Sequence, residues 1–152
     1  MTRIPLAVLD LIPRSAGATV AEGVRNAIDL ARQAERFGYE RYWFAEHHLN
    51  PGVLGAAPAL SIALVAAATK TIRLGSAGVQ TGNRTPLSIV EEFGLLDAVY
   101  PGRLDLGIGR SFSRPRPGAE PGAPVSSPRP ELVTAAVSNY QALAGKADHS
   151  AE

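Results

Sequence analysis

The chain has 152 residues, of which 45% are hydrophobic and 19% charged, a balance typical of a globular protein with a sizeable core. Its formal net charge of +1 comes without a basic stripe, which argues against nucleic-acid binding. The absence of cysteine excludes disulfides, thiolate metal sites and a cysteine nucleophile. No apolar run resembles a signal peptide or a membrane span, so we expect no membrane partner and a cytoplasmic location.

Strand-like and helix-like segments alternate through about residue 110, the pattern of a parallel α/β fold. Residues 4–12 are nearly all apolar and predict a first strand covered on both faces. In the helix that follows, Thr19 and Glu22 have the spacing of a capping box, and Gly38 suits a left-handed end. Residues 39–45 are rich in aromatic side chains and predict the second strand.

Two more strand and helix pairs complete this pattern. Residues 58–70 predict a helix and residues 72–79 a strand. Thr85 and Pro86 then start a helix that ends before Pro101, and Glu91 and Glu92 are expected in its first turn. Residues 104–109 predict the fourth strand.

The four predicted strands are half the number in a complete (β/α)8 barrel, which has eight strands and about 250 residues. We therefore expect an α/β fold, a partial TIM barrel made of about the first four β/α units, over residues 1–110. Residues 111–130 are rich in proline and glycine and predict a long loop or linker. Residues 131–152 predict a short helix and a frayed tail.

In such a barrel the chemistry lies at the carboxyl ends of the strands. Glu46, His47 and His48 follow the second strand directly. Histidine titrates near neutral pH and can move a proton, and a neighbouring carboxylate can orient its ring. The alternative is that both histidines cap the next helix or pack under Trp43. A metal site is disfavoured, because adjacent histidines on an extended segment point to opposite sides.

The third and fourth strands also end in candidate groups. Gly75, Ala77 and Gly78 are small either for tight packing or because a flat ring lies against the main chain. Arg110 follows the glycine-containing fourth strand and can fork onto a phosphate or a carboxylate. The alternative for Arg110 is a surface ion pair.

Five stretches, in this order and spacing, resemble the bacterial-luciferase-like flavin-dependent monooxygenases. They are residues 42–48 (YWFAEHH), 72–79 (IRLGSAGV), 85–87 (TPL), 91–97 (EEFGLLD) and 101–110 (PGRLDLGIGR). The resemblance implies a TIM barrel that binds reduced FMN at its carboxyl-terminal rim and uses O2 to oxidise an aldehyde or another small organic substrate. It also implies a separate flavin reductase that supplies the reduced FMN.

The resemblance assigns roles to particular residues. His47, with the carboxylate of Glu46 beside it, would handle protons next to the flavin. Ala77 and Gly78 would support the isoalloxazine ring, often through a non-prolyl cis peptide, and Arg110 would reach the flavin phosphate. The substrate-binding residues are not identified by the resemblance.

Two alternatives to this function stay open. One keeps the fold and replaces FMN by the deazaflavin F420, with hydride transfer and no oxygen. The other is a non-catalytic half-barrel fragment that associates with a partner through its open sheet edges. For the enzyme we expect a homodimer or heterodimer, a small-molecule substrate, and neither nucleic acid nor a metal ion.

Overall fold

The computed structural model describes residues 4–48, 50, 52–82 and 84–109. Over these ranges strands and helices alternate as the sequence predicts. Their bounds are β1 Ala7–Asp10, α1 Val20–Arg36, β2 Arg41–Phe44, α2 Pro58–Ala66, β3 Arg73–Gln80, α3 Pro86–Val99 and β4 Leu104–Gly109. Arg110, the predicted linker 111–130 and the predicted helix within 131–152 lie outside the described residues.

The strands form one parallel sheet in the order β1-β2-β3-β4, so each strand pairs with the next one along the chain. The order never reverses, as it does in a doubly wound sheet, and it is the order of a β/α barrel. The register aligns Leu9, Trp43, Gly75 and Asp105 in one row across the sheet. The α/β class predicted from the sequence is confirmed.

Helix α1 begins and ends where its capping residues predict. Thr19 Oγ1 accepts a hydrogen bond from the Glu22 N–H at 3.2 Å, and the Glu22 carboxylate accepts one from the Thr19 N–H at 2.7 Å. Gly38 has a φ of +74° just beyond the helix, a conformation that glycine adopts without steric cost. The helix presents a row of small residues to the interior, which are buried: Gly23, Ala27, Ala31 and Ala34.

Strand β1 is shorter than the predicted range of residues 4–12, because the chain turns after Asp10. The Asp10 carboxylate accepts a hydrogen bond from the N–H of Ile12 at 2.7 Å. Ile12 has a φ of +52°, which is rare for a β-branched residue, and its side chain is buried. The side-chain hydrogen bond competes with continuation of the strand and ends it.

Helix α2 ends at Ala66, although the sequence predicted a helix to residue 70. The N–H groups of Ala68 and Thr69 donate to carbonyls only three residues back, at 3.0 and 3.4 Å. The Thr69 hydroxyl also donates to the Val65 carbonyl at 2.8 Å. These bonds satisfy the last carbonyls of the helix and turn the chain toward β3.

The core lies between the helices and one face of the sheet. Tyr42, Phe44 and Leu74 of the strands are buried there against Ile62 of α2. The Tyr42 hydroxyl donates to the buried Asp10 carboxylate at 2.5 Å. Burial, together with this carboxylate, raises the pKa of Tyr42 far above its usual range, so the phenol stays protonated as the donor.

The opposite face of the sheet carries no helix in the described part of the chain, and its apolar residue Leu9 is exposed. A charged cluster lies on this face around Asp105. The Asp105 carboxylate accepts hydrogen bonds from the Arg73 guanidinium at 3.1 Å and from Trp43 Nε1 at 3.0 Å, and Arg41 Nε lies 3.3 Å away. Burial acts to raise the pKa of Asp105, but these donors lower it below its usual range.

Candidate functional site

His47 lies just beyond the carboxyl end of β2, where the sequence predicts the site. Its N–H donates to the carbonyl of Gly55 at 2.9 Å, which fixes the main chain at this point. A Cβ added to Gly55 would lie 2.9 Å from the carbonyl oxygen of Ala45, so the close approach of the two segments requires glycine. The imidazole of His47 itself is exposed and accessible to a ligand.

The side chain of Glu46 points the other way and is fully buried, with 0% of its side chain exposed. One carboxylate oxygen lies 2.7 Å from Nε2 of His48 and accepts a hydrogen bond from Arg84 Nε at 3.1 Å. The other oxygen accepts from the N–H of Gln80 at 2.9 Å. The ring that this carboxylate orients is therefore that of His48, and the carboxylate does not reach the exposed surface around His47.

Arg84 extends the same network to α3. Its Nη1 donates to both carboxylate oxygens of Glu92, at 3.0 and 2.9 Å. The sequence predicted candidate groups at the end of the third strand but gave Arg84 no role. The expectation that Glu91 and Glu92 lie in the first helical turn is wrong, because α3 begins at Pro86 and its first turn holds no acidic residue.

Ala77 and Gly78 lie at an irregularity in β3. Ser76 pairs with Leu106 and Val79 with Ile108, so three steps along β3 oppose two along β4. This β-bulge inserts an extra residue and changes the direction of the local side chains. Ala77 is exposed as a result. The peptide bonds of the described residues include no cis bond, so the non-prolyl cis peptide that often accompanies this strand end in the family is not present at Ala77 and Gly78.

The glycines of β3 are small for different reasons. A Cβ on Gly75 would collide with the carbonyl oxygen of Asp105 and lie 2.8 Å from its Cβ, so strand packing alone requires glycine here. A Cβ on Gly78 would meet the main chain of Gly109 at an ordinary 3.5 Å and that of Ile108 at 4.0 Å. Of the two explanations that the sequence left open, packing therefore accounts for Gly75. The surface at Ala77 and Gly78 is open to a flat ligand.

The bulge borders an open hollow of about 570 Å³ on the sheet. Its lining includes Arg41, Trp43, Ser76, Ala77, Asp105 and Gly107. Within the described ranges, no three His, Asp or Glu side chains come together as a metal site would require. The helices of these ranges are also too short or too polar to cross a membrane.

A parallel β/α sheet in strand order, with an exposed imidazole and an open bulge at the carboxyl ends of neighbouring strands, is the arrangement of part of a β/α barrel. The sequence model of the luciferase-like monooxygenase family matches residues 4–133, and the chain belongs to this family. The resemblance inferred from the sequence is confirmed.

Curated relatives match about 70% of the chain. The uncharacterized protein YvbT of Bacillus subtilis is 52% identical over 70% of this chain and 32% of its own length. A luciferase-like monooxygenase of Escherichia coli strain K12 is 48% identical over 71% of this chain and 32% of its own. The N-acetyl-S-alkylcysteine monooxygenase of Bacillus subtilis is 41% identical, with the same coverage of 71% and 32%. The chain thus spans about a third of the length of these relatives.

Solved structures share the fold. Apo-MsnO8 has a TM-score of 0.69 and 45% identity over 72% of this chain and 33% of its own. The oxygenating constituent of 3,6-diketocamphane monooxygenase from Pseudomonas putida, in complex with FMN, has a TM-score of 0.70 and 19% identity over 93% and 40%. An F420-dependent secondary alcohol dehydrogenase in complex with an F420-acetone adduct has a TM-score of 0.61 and 20% identity, over 93% of this chain and 42% of its own. The predicted fold, part of a luciferase-like TIM barrel, is confirmed.

Proposed function

We propose that this chain is the N-terminal part of a flavin-dependent monooxygenase that uses reduced FMN and O2 to oxidise an aldehyde or another small organic substrate. The observation that carries the proposal is the exposed imidazole of His47 at the end of β2, beside the open bulge of β3, in a member of the luciferase-like monooxygenase family. The carboxyl ends of barrel strands are where such folds hold their chemistry.

The residues at this rim fit a flavin. Ala77 carries only a methyl group and Gly78 has no side chain, so a flat ring can lie against the main chain at the bulge. Arg110, which follows β4, is the proposed ligand of the flavin phosphate. When bound, reduced FMN supplies the electrons that activate O2.

His47 is the proposed proton-transfer group. Its ring is exposed, while the hydrogen bond from its N–H to Gly55 holds the main chain that carries it. An imidazole can both donate and accept a proton, as a group that transfers protons at this position must. The neighbouring Glu46 is buried, and its carboxylate accepts hydrogen bonds from Gln80 and Arg84.

The partners of the enzyme are part of the proposal. A separate flavin reductase supplies reduced FMN, the enzyme acts as a homodimer or heterodimer, and the reaction takes place in the cytoplasm.

The test is turnover by the protein that carries this chain, given reduced FMN and O2. We expect His47→Ala to lower kcat roughly 100-fold or more, the range of a lost general acid or base. Asn26→Ala, an exposed change on α1, is the control and is expected to leave kcat unchanged. An unchanged rate in His47→Ala would contradict the role of the imidazole.

F420 is the second candidate cofactor, because a structural neighbour that shares the fold is an F420-dependent dehydrogenase. The reaction would then be a hydride transfer without oxygen. The absorbance spectrum of the copurified cofactor separates the two candidates. Titrations of FMN and of F420 into the isolated chain separate both candidates from a non-catalytic fragment, which would quench the fluorescence of neither cofactor.

A further inference from the structure

We propose that Arg84 is a positioning residue that fixes the loop carrying His47 against the end of β3, through the buried carboxylate of Glu46. The geometric inference stands on the contacts alone. Only its consequence for catalysis rests on the proposed function. The contacts join three segments that are distant along the chain: the loop after β2, the end of β3 with the loop after it, and α3.

Charge is the first reason. The Glu46 side chain is 0% exposed, and a buried carboxylate is stable only when it is paired and hydrogen-bonded. Arg84, with 18% of its side chain exposed, provides the permanent cation at 3.1 Å. His48 contacts the same oxygen but is a cation only when protonated. Removal of Arg84 therefore leaves Glu46 without a permanent counter-charge.

Connectivity is the second reason. Glu46 immediately precedes His47, and Gln80 lies two residues after Gly78 in β3. The N–H of Gln80 donates to the Glu46 carboxylate at 2.9 Å, and its side-chain amide donates to the Glu46 carbonyl at 2.6 Å. Displacement of Glu46 would therefore change the distance between the imidazole and the bulge. These are the two features that a ligand at the rim must contact together.

The anchoring of Arg84 is the third reason. Its guanidinium donates to Glu46 on one side and to Glu92 of α3 on the other. Its Nη2 also donates to the carbonyl of Ala56, just before α2, at 3.4 Å. A planar guanidinium can make these contacts in several directions, whereas a lysine ammonium is a single point charge. Arg84 thus fixes Glu46 relative to α3 and to the segment that precedes α2.

If the Arg84–Glu46 ion pair were purely structural, its loss would lower global stability without a specific effect on the rim. The chain offers a matched control for this distinction, Arg73, whose guanidinium pairs with Asp105 near the start of β3, far along the strand from Gln80. Arg73→Met removes a guanidinium that is 38% exposed from a carboxylate that is 20% exposed, so both partners are less buried than Arg84 and Glu46. It leaves the Glu46 network intact.

The experiment measures amide hydrogen exchange by NMR in the full 152-residue chain. In Arg84→Met we expect exchange at the N–H groups of Gln80 and His47 to become about tenfold faster or more, relative to the amides of β1. Arg84→Lys, which keeps the charge without the fork, is expected to give an intermediate increase. Arg73→Met is expected to leave the relative exchange at these two amides unchanged.

Equal acceleration in the Arg84 and Arg73 variants, or none in either Arg84 variant, would overturn the proposal. If Arg84→Met does not fold, Arg84→Lys and the neutral pair Glu46→Gln with Arg84→Met provide the same comparison without an unpaired buried charge. If the double variant regains the stability of the unaltered chain while the Gln80 N–H still exchanges fast, the result supports positioning. If the double variant regains both the stability and the slow exchange at Gln80, the result contradicts positioning.

Measurements of FMN binding and turnover in the Arg84 variants test the consequence of positioning for catalysis. Arg84→Met is expected to weaken FMN binding and to lower kcat more than it raises KM for the substrate, with partial rescue in Arg84→Lys. If the unaltered protein fails to bind FMN, the proposed function fails, while the exchange experiment still decides the role of Arg84. If FMN binds equally to the unaltered protein and to Arg84→Met, the consequence of positioning for flavin binding is refuted and the proposed function stands.

Discussion

Replacement of Glu35 by glutamine would remove the charge that joins the end of α1 to the start of β3. The Glu35 carboxylate accepts hydrogen bonds from the N–H groups of Lys70, Thr71 and Ile72, at 2.9, 2.6 and 2.9 Å, and from the Thr71 hydroxyl at 3.1 Å. Burial acts to raise the pKa of Glu35, but these bonds outweigh it and lower the pKa to about 2 from the usual 4.5.

The sign of the pH dependence follows from this direction. A carboxyl whose pKa is lower in the folded state contributes stability above its unfolded pKa, near 4.5, and loses it as the pH falls toward 2. The full shift corresponds to roughly 3 kcal/mol. Glu35 is partly exposed, and screening by solvent reduces the contribution to about 1–2 kcal/mol.

The assay is urea denaturation of the unaltered chain and of Glu35→Gln at pH 7 and pH 3. We expect the variant to be less stable by about 1–2 kcal/mol at pH 7 and the difference to shrink at pH 3. Asp29→Asn, which neutralises an exposed carboxylate on α1, controls for the change in net charge. An equal loss at both pH values would refute the electrostatic account, and no loss at pH 7 would refute the importance of the bonds.

Two further predictions concern packing. Tyr42→Phe leaves the buried Asp10 carboxylate without its phenol donor and should lower the free energy of unfolding by about 1–3 kcal/mol in the same urea assay, so an unchanged midpoint would contradict the importance of this bond. Gly75→Ala should destabilise the chain through collision with the neighbouring strand, whereas Gly78→Ala, which meets only ordinary contacts, should not. Equal thermal midpoints for the two alanine variants would contradict the packing account.

Local chemistry made much of the fold predictable. The order of strands and helices follows from apolar patterning, and the start of α1 follows from Thr19 and Glu22, which contact each other within one turn. The ends of β1 and α2 were predicted too late because side-chain bonds of Asp10 and Thr69 end them. Apolar patterning does not reveal such bonds, since the same residue types also occur inside strands and helices.

The candidate site was predictable in position more than in its contacts. The sequence placed His47 and Glu46 at the end of a strand because barrel topology fixes where polar loops meet. It did not indicate that Glu46 is buried against Gln80 and Arg84, which lie 34 and 38 residues further along the chain. The bulge at Ala77 depends on the register between two strands, which no local pattern determines. The position of Arg110 relative to His47 stays a prediction.

Ile12 has consequences for how this sequence can change over evolutionary time. Its backbone, with a φ of +52°, favours glycine or asparagine, while its side chain, 3% exposed, fills space in the core. Glycine at this position would relax the backbone and leave a void, and valine would keep the strain and part of the void. No single substitution meets both demands, so drift at position 12 is expected to occur together with change at Asp10, whose side chain holds the turn.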